Sequence, residues 1–185
     1  MPLRFLVFCL LILAAGPAVA EESAALAALR GGGTVALLRH ALAPGTGDPS
    51  GFRIDDCATQ RNLDPAGRQQ AEDIGRLLRD SGVDVSVVRT SRWCRARDTA
   101  RLLDVGPVEE AAYLDSFFSD RSTASAQTED LRRSVVEWTG PGVLILVTHQ
   151  VNITALTGIV PRSGEMVVLR PRPFSDTGFL LVGRL

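Results

Sequence analysis

Two short runs, TVALLRH at 34–40 and GVLILVTH at 142–149, constrain the fold more than any other part of this chain. Neither alternates apolar with polar residues. Each is aliphatic on both faces, which suits a strand covered by helices on both sides and not a half-solvated antiparallel one. Each ends in a histidine, and the chain has only 2. Beyond His40 lies a long polar segment, 41–62, punctuated by Pro44, Gly45, Gly47, Pro49 and Gly51. A loop of that length inside a compact domain is functional or disordered.

The rest of the chain alternates in the same way. SAALAALRGGG reads as a short helix stopped by glycines. DPAGRQQAEDIGRLLRDSG (64–82) reads as an amphipathic helix, with Asp64 as cap, Pro65 in the first position and Gly82 at the end. Ala71, Ile74, Leu77 and Leu78 are expected on its inner face. VDVSVVRTS is a strand, and SRWCRARDTARLL a helix with Ser91 as its expected N-cap. GPVEEAAYLDSFFSDRSTASAQ reads as irregular, TEDLRRSVVEWTG and QVNITALTG as helices, and GEMVVLRPRP with TGFLLVGRL as a closing strand pair. Strands alternating with helices predict a three-layer α/β sandwich, a largely parallel central sheet with helices on both faces.

The first 20 residues, MPLRFLVFCLLILAAGPAVA, read as a cleaved signal peptide. Arg4 supplies its charge, Phe5 to Ala15 its apolar stretch, and Ala18-Val19-Ala20 its cleavage site. The alternative is an uncleaved anchor, but the apolar run falls short of the ~20 residues a spanning helix needs. The expected mature chain is therefore a single domain, 21–185, periplasmic or secreted, without a stable membrane span. Removing Cys9 leaves Cys57 and Cys94, and an exported pair favours a disulfide over two free thiols.

A net charge of −1 gives no electrostatic case for nucleic acid. All 20 basic residues are arginine, so every fixed cation is a bidentate guanidinium. In α/β sheets ligands bind at the carboxyl ends of the strands. Arg39, His40 and His149 are thus expected in one crevice. Arg92, Arg95 and Arg97 crowd the start of a helix that also follows a strand, a place suited to anions. Arg95 is the one assigned to the site; Arg92 and Arg97 are expected to pair with Asp98 and Asp104 on the surface.

Four segments, LLRHA, NLDPAGRQQAEDIGRLL, SRWCRARDTARLL and VLILVTHQ, together resemble the histidine phosphatase (phosphoglycerate mutase-like) superfamily in its order. The resemblance implies His40 as nucleophile, Arg39 and Arg95 as phosphoryl ligands, and His149 as a distal, cationic ligand. It implies a phosphohistidine intermediate, a small phosphorylated substrate, and no metal or cofactor. Gln150 stands where the acid phosphatase branch has aspartate, which places the resemblance in the mutase-like branch. The family's usual acid is not evident. Asp120 and Asp115 are the candidates by position, with Glu109 and Glu110 lying earlier. Arg53 and Gln150 are candidate substrate contacts; Arg61, Asn152 and Thr154 are further pocket candidates expected to be structural, as are Asp55, Asp56 and Glu165. The function expected is phosphomonoester hydrolysis. The alternatives are phosphohistidine or lipopolysaccharide sugar phosphate as the specific substrate, or phosphate binding without turnover.

Overall fold

The computed structural model describes residues 17–185, with side chains from Ala24 onward. Most of the expected signal segment lies outside the described residues, and its end falls in the first helix, α1 (Pro17–Arg30). Six strands form one sheet: β1 (Val35–Arg39), β2 (Val85–Thr90), β3 (Val108–Glu110), β4 (Val143–Thr148), β5 (Met166–Pro171) and β6 (Phe179–Arg184). Their order is β3-β2-β4-β1-β5-β6. Neighbours from β3 to β1 pair in parallel, while β5 runs antiparallel to both β1 and β6. The sheet is therefore largely parallel, as expected, with the closing strand pair turning it mixed.

Residue alternation in the central strands divides the core. Ala36, Leu38, Val143, Ile145 and Val147 face α1, α2 (Pro65–Asp80) and α3 (Cys94–Leu103). Val35, Leu37, Leu144 and Leu146 face α4 (Ala124–Val136) and α5 (Gln150–Thr157). Each such aliphatic side chain is fully buried, and burial stabilises by about 1.5–3 kcal/mol per residue. This two-sided demand is why β1 and β4 are aliphatic up to their last residues, Arg39 and Thr148.

Several local expectations need correction. β3 lies within the stretch read as irregular; it is an exposed edge strand, so burial left no apolar pattern to detect. α4 begins at Ala124, earlier than TEDL. Leu77 is exposed, and the buried line of α2 is Gly67, Ala71, Gly75 and Leu78. The glycines are there for contact: a Cβ on Gly67 would strike the Leu42 carbonyl, and one on Gly75 the Leu103 carbonyl. The N-cap of α2 is as expected, with Asp64 accepting from Gly67 N at 2.7 Å behind Pro65. α3 starts at Cys94 and not beside Ser91, whose hydroxyl is used elsewhere.

Candidate active site

The connections after β1 and β4 leave on opposite faces, through α2 and α5 respectively. Between two such strands an α/β sheet opens a crevice at their carboxyl ends. The parallel register pairs Arg39 with Thr148, and His40 N donates to Thr148 O at 2.9 Å. His40 and His149 are consequently side by side, with ring centroids 5.3 Å apart. Both are buried. They line one cavity of about 190 Å³ with Arg39, Asp48, Arg61 and Arg95. That is below the ~300 Å³ at the lower end of drug-sized pockets.

Hydrogen bonds set the state of each ring. His40 Nδ1 lies 2.7 Å from Ala41 O. A carbonyl only accepts, so Nδ1 carries the proton and Nε2 keeps its lone pair. Burial, followed by the charge of Arg95, lowers the His40 pKa to about 3. The ring is neutral at pH 7. His149 Nε2 lies 2.9 Å from Ser91 Oγ, and Ser91 donates to Asp115 Oδ1 at 3.2 Å. The chain runs from imidazole N–H to hydroxyl to carboxylate. Burial, then His40, Arg95, Arg61 and Arg39, push the His149 pKa well below its ordinary value. In the protein alone the cation expected at His149 is disfavoured, and a phosphoryl anion beside the ring would favour its proton.

The arginines are held from behind. Arg39 Nη1 donates to Pro161 O at 2.9 Å. Arg95 meets Asp48 through both terminal nitrogens, at 2.7 and 3.2 Å. The Nε atoms of Arg39 and Arg95 are buried with no hydrogen-bond partner in the protein. Unpaired buried donors are rare, and Arg39 and Arg95 both line the cavity. Burial, and then Arg95, lower the Arg39 pKa, so an anion would relieve crowded positive charge.

Loop 41–62 supplies the rest of the wall. Cys57 is bonded to Cys94, tying the loop to the first residue of α3. Gln60 Oε1 accepts from Cys94 N at 2.9 Å, capping α3 from the loop in place of Ser91. Arg61 donates to the carbonyls of Ala43 and Gly47 and also lines the cavity. Asp48 accepts from Trp93 Nε1 at 3.0 Å and Arg61 N at 3.1 Å besides its Arg95 fork.

No protein-family model matches the chain, and no curated protein does. Solved structures do. A SixA from Agrobacterium tumefaciens, assigned as a phosphohistidine phosphatase, superposes with a TM-score of 0.56 at 22% identity, covering 83% of this chain and 97% of its own. The protein histidine phosphatase SixA complexed with tungstate gives 0.56 at 14% identity over 82% and 96%. A mycobacterial glucosyl-3-phosphoglycerate phosphatase gives 0.57 at 18% over 80% and 96%. This chain has the histidine phosphatase fold.

Within that fold, the four residues singled out by sequence, Arg39, His40, Arg95 and His149, converge on the cavity, and Gln150 joins them. The other candidates do not. Asp115 is buried behind His149, bonded to Arg92 Nε at 2.7 Å and to Ser91. Asp120 is exposed and caps a 3₁₀ turn through Ser122 N at 2.9 Å. Neither lines the cavity. Arg53 pairs with Asp55 on the surface, and Asp56 caps the turn at Ala58. Arg92 and Arg97 pair with Asp115 and Glu110, not with Asp98 and Asp104. Glu109 faces Arg89 and Glu165 faces Arg162 and Arg184. Asn152 and Thr154 bond the backbone at Asp115 and Ile159. The sequence reading missed Asp48 and Gln60, and it weighed Arg61 as structural ahead of the pocket role that the cavity gives it. Asp48 stands before a proline in a glycine-rich stretch, where aspartate ordinarily signals a turn.

Proposed function

We propose that this chain is an exported phosphomonoesterase that works through a phosphohistidine on His40 without a metal. The observation that carries the reading is His40 itself: a neutral imidazole with Nδ1 held by Ala41 O and Nε2 free, in a cavity walled by Arg39 and Arg95. Nε2 attacks phosphorus and the P–O bond to the leaving group breaks. Water then attacks the phosphohistidine, the P–N bond breaks and phosphate departs. The guanidinium groups of Arg39 and Arg95, which line the cavity, take the charge on the phosphoryl oxygens. Export rests on the amino-terminal segment and accords with the Cys57–Cys94 bond.

A second reading, a phosphatase for phosphohistidine, draws support from two observations. Asp115 and Asp120 lie off the cavity, and a nitrogen leaving group makes less demand on an acid. SixA, a phosphohistidine phosphatase by name, is among the structural neighbours.

The test is hydrolysis of an aryl phosphate by the purified protein in the presence of chelator, beside His40→Ala. Chelator-resistant activity that disappears in the variant is the expected result. Activity that survives in the variant would remove His40 from the reaction.

A further inference from the structure

Cleaving an alkyl phosphate leaves an alkoxide, which must be protonated as it departs. Among the described residues, Asp48 is the carboxylate that lines the cavity. Its side chain is 12% exposed, so it stands inside the wall and not on the rim. Asp115, bonded to Arg92 and Ser91, and Glu165, bonded to Arg162 and Arg184, lie off the cavity.

We infer that Asp48 is the acid and base of the reaction: it delivers a proton to the leaving oxygen and then takes one from the attacking water. The inference rests on the phosphomonoesterase reading above. The balance is closed. In the first step His40 Nε2 bonds to phosphorus, the P–O bond breaks, and the Asp48 carboxyl proton goes to the leaving oxygen. In the second, water bonds to phosphorus, its proton goes to the Asp48 carboxylate, and the P–N electron pair returns to His40.

The surroundings supply the proton at the right moment. In the protein alone Asp48 is ionised. Burial opposes that state, but the bonds and charge of Arg95, then Trp93 Nε1–H and Arg61 N–H, outweigh it and lower the pKa. A phosphoryl dianion on Arg39 and Arg95 places a second anion beside the same guanidinium. The second anion disfavours the ionised carboxylate, so the Asp48 pKa rises and the group takes up a proton from solvent as substrate binds. Gly45 and Gly47, at φ of 92° and 71°, make the turn that brings Asp48 to the cavity wall.

Asp48 could instead serve only to hold Arg95 in place, and the choice of leaving group separates the two roles. A phenol, with a pKa near ~10, departs with little help, whereas an alkanol needs the proton. The experiment compares Asp48→Asn with the wild type on an aryl phosphate and on glycerol phosphate. The inference expects a loss of about 10²–10⁴-fold in kcat on the alkyl ester and a much smaller loss on the aryl ester. Equal losses on both would leave Asp48 as a positioning residue and overturn the inference. Should Asp48→Asn fail to fold, Asp48→Glu answers the same question: a retained carboxyl must keep alkyl activity well above that of a carboxyl-free Asp48→Ser. If the wild type hydrolyses neither ester, the phosphomonoesterase reading itself fails, and this inference with it.

Discussion

At the scale of single residues, the chemistry depends on which nitrogen of each imidazole holds the proton, and that is decided by a second ring of partners. Ala41 O fixes His40, and Ser91 with Asp115 fixes His149. Ser91 also accepts from Trp93 N at 3.2 Å, so one hydroxyl joins three groups. Ser91→Ala would leave a buried imidazole N–H without its acceptor, while Asp115 Oδ1 would keep Arg92 N at 2.9 Å. Loss of such an orienting group costs about 10–100-fold in function. The expectation is a fall in kcat of that order with the fold intact, checked by steady-state kinetics beside circular dichroism. An unchanged kcat would mean that packing alone holds His149.

At the scale of elements, α2 and α3 touch through glycine. Replacing Gly75 by alanine raises helix propensity by about 1 kcal/mol. The same methyl would run into the Leu103 carbonyl, a backbone atom that cannot rotate away. Overpacking of this kind costs about 1–3 kcal/mol, so the clash should win. Gly75→Ala is expected to lower stability in denaturant unfolding and, because α3 carries Arg95, to lower activity too. How legible each element was follows from burial. β1 and β4 were plain because both faces are covered, and the histidines at their ends located the site. β3 was invisible because its three residues are exposed. The start of α3 was misplaced because its cap, Gln60, comes from 34 residues upstream. Asp48 was missed for a like reason: its partner Arg95 is 47 residues away, and no local pattern records such a pairing.

At the scale of the whole molecule, the buried site makes stability depend on pH. His40 titrates near 6.5 when unfolded and at about 3 when folded. Between these values the unfolded chain binds a proton that the native state refuses, so stability falls as pH falls. From His40 alone the loss between pH 7 and 5 is about 2 kcal/mol. His149 acts in the same direction, and the lowered Asp48 pKa adds a further loss at more acidic pH. Thermal unfolding should therefore show Tm dropping over this range, and less steeply in His40→Gln. A Tm independent of pH from 7 to 5 would contradict the burial of neutral imidazoles. The central claim is that phosphorus passes through His40, and the most direct measurement is to quench the protein during turnover of a phosphate ester and locate the phosphoryl group by mass spectrometry. The account predicts an acid-labile phosphate on His40, absent from His40→Ala. Steady turnover with no phosphate on His40 at any quench time, or with phosphate on another residue, would contradict it.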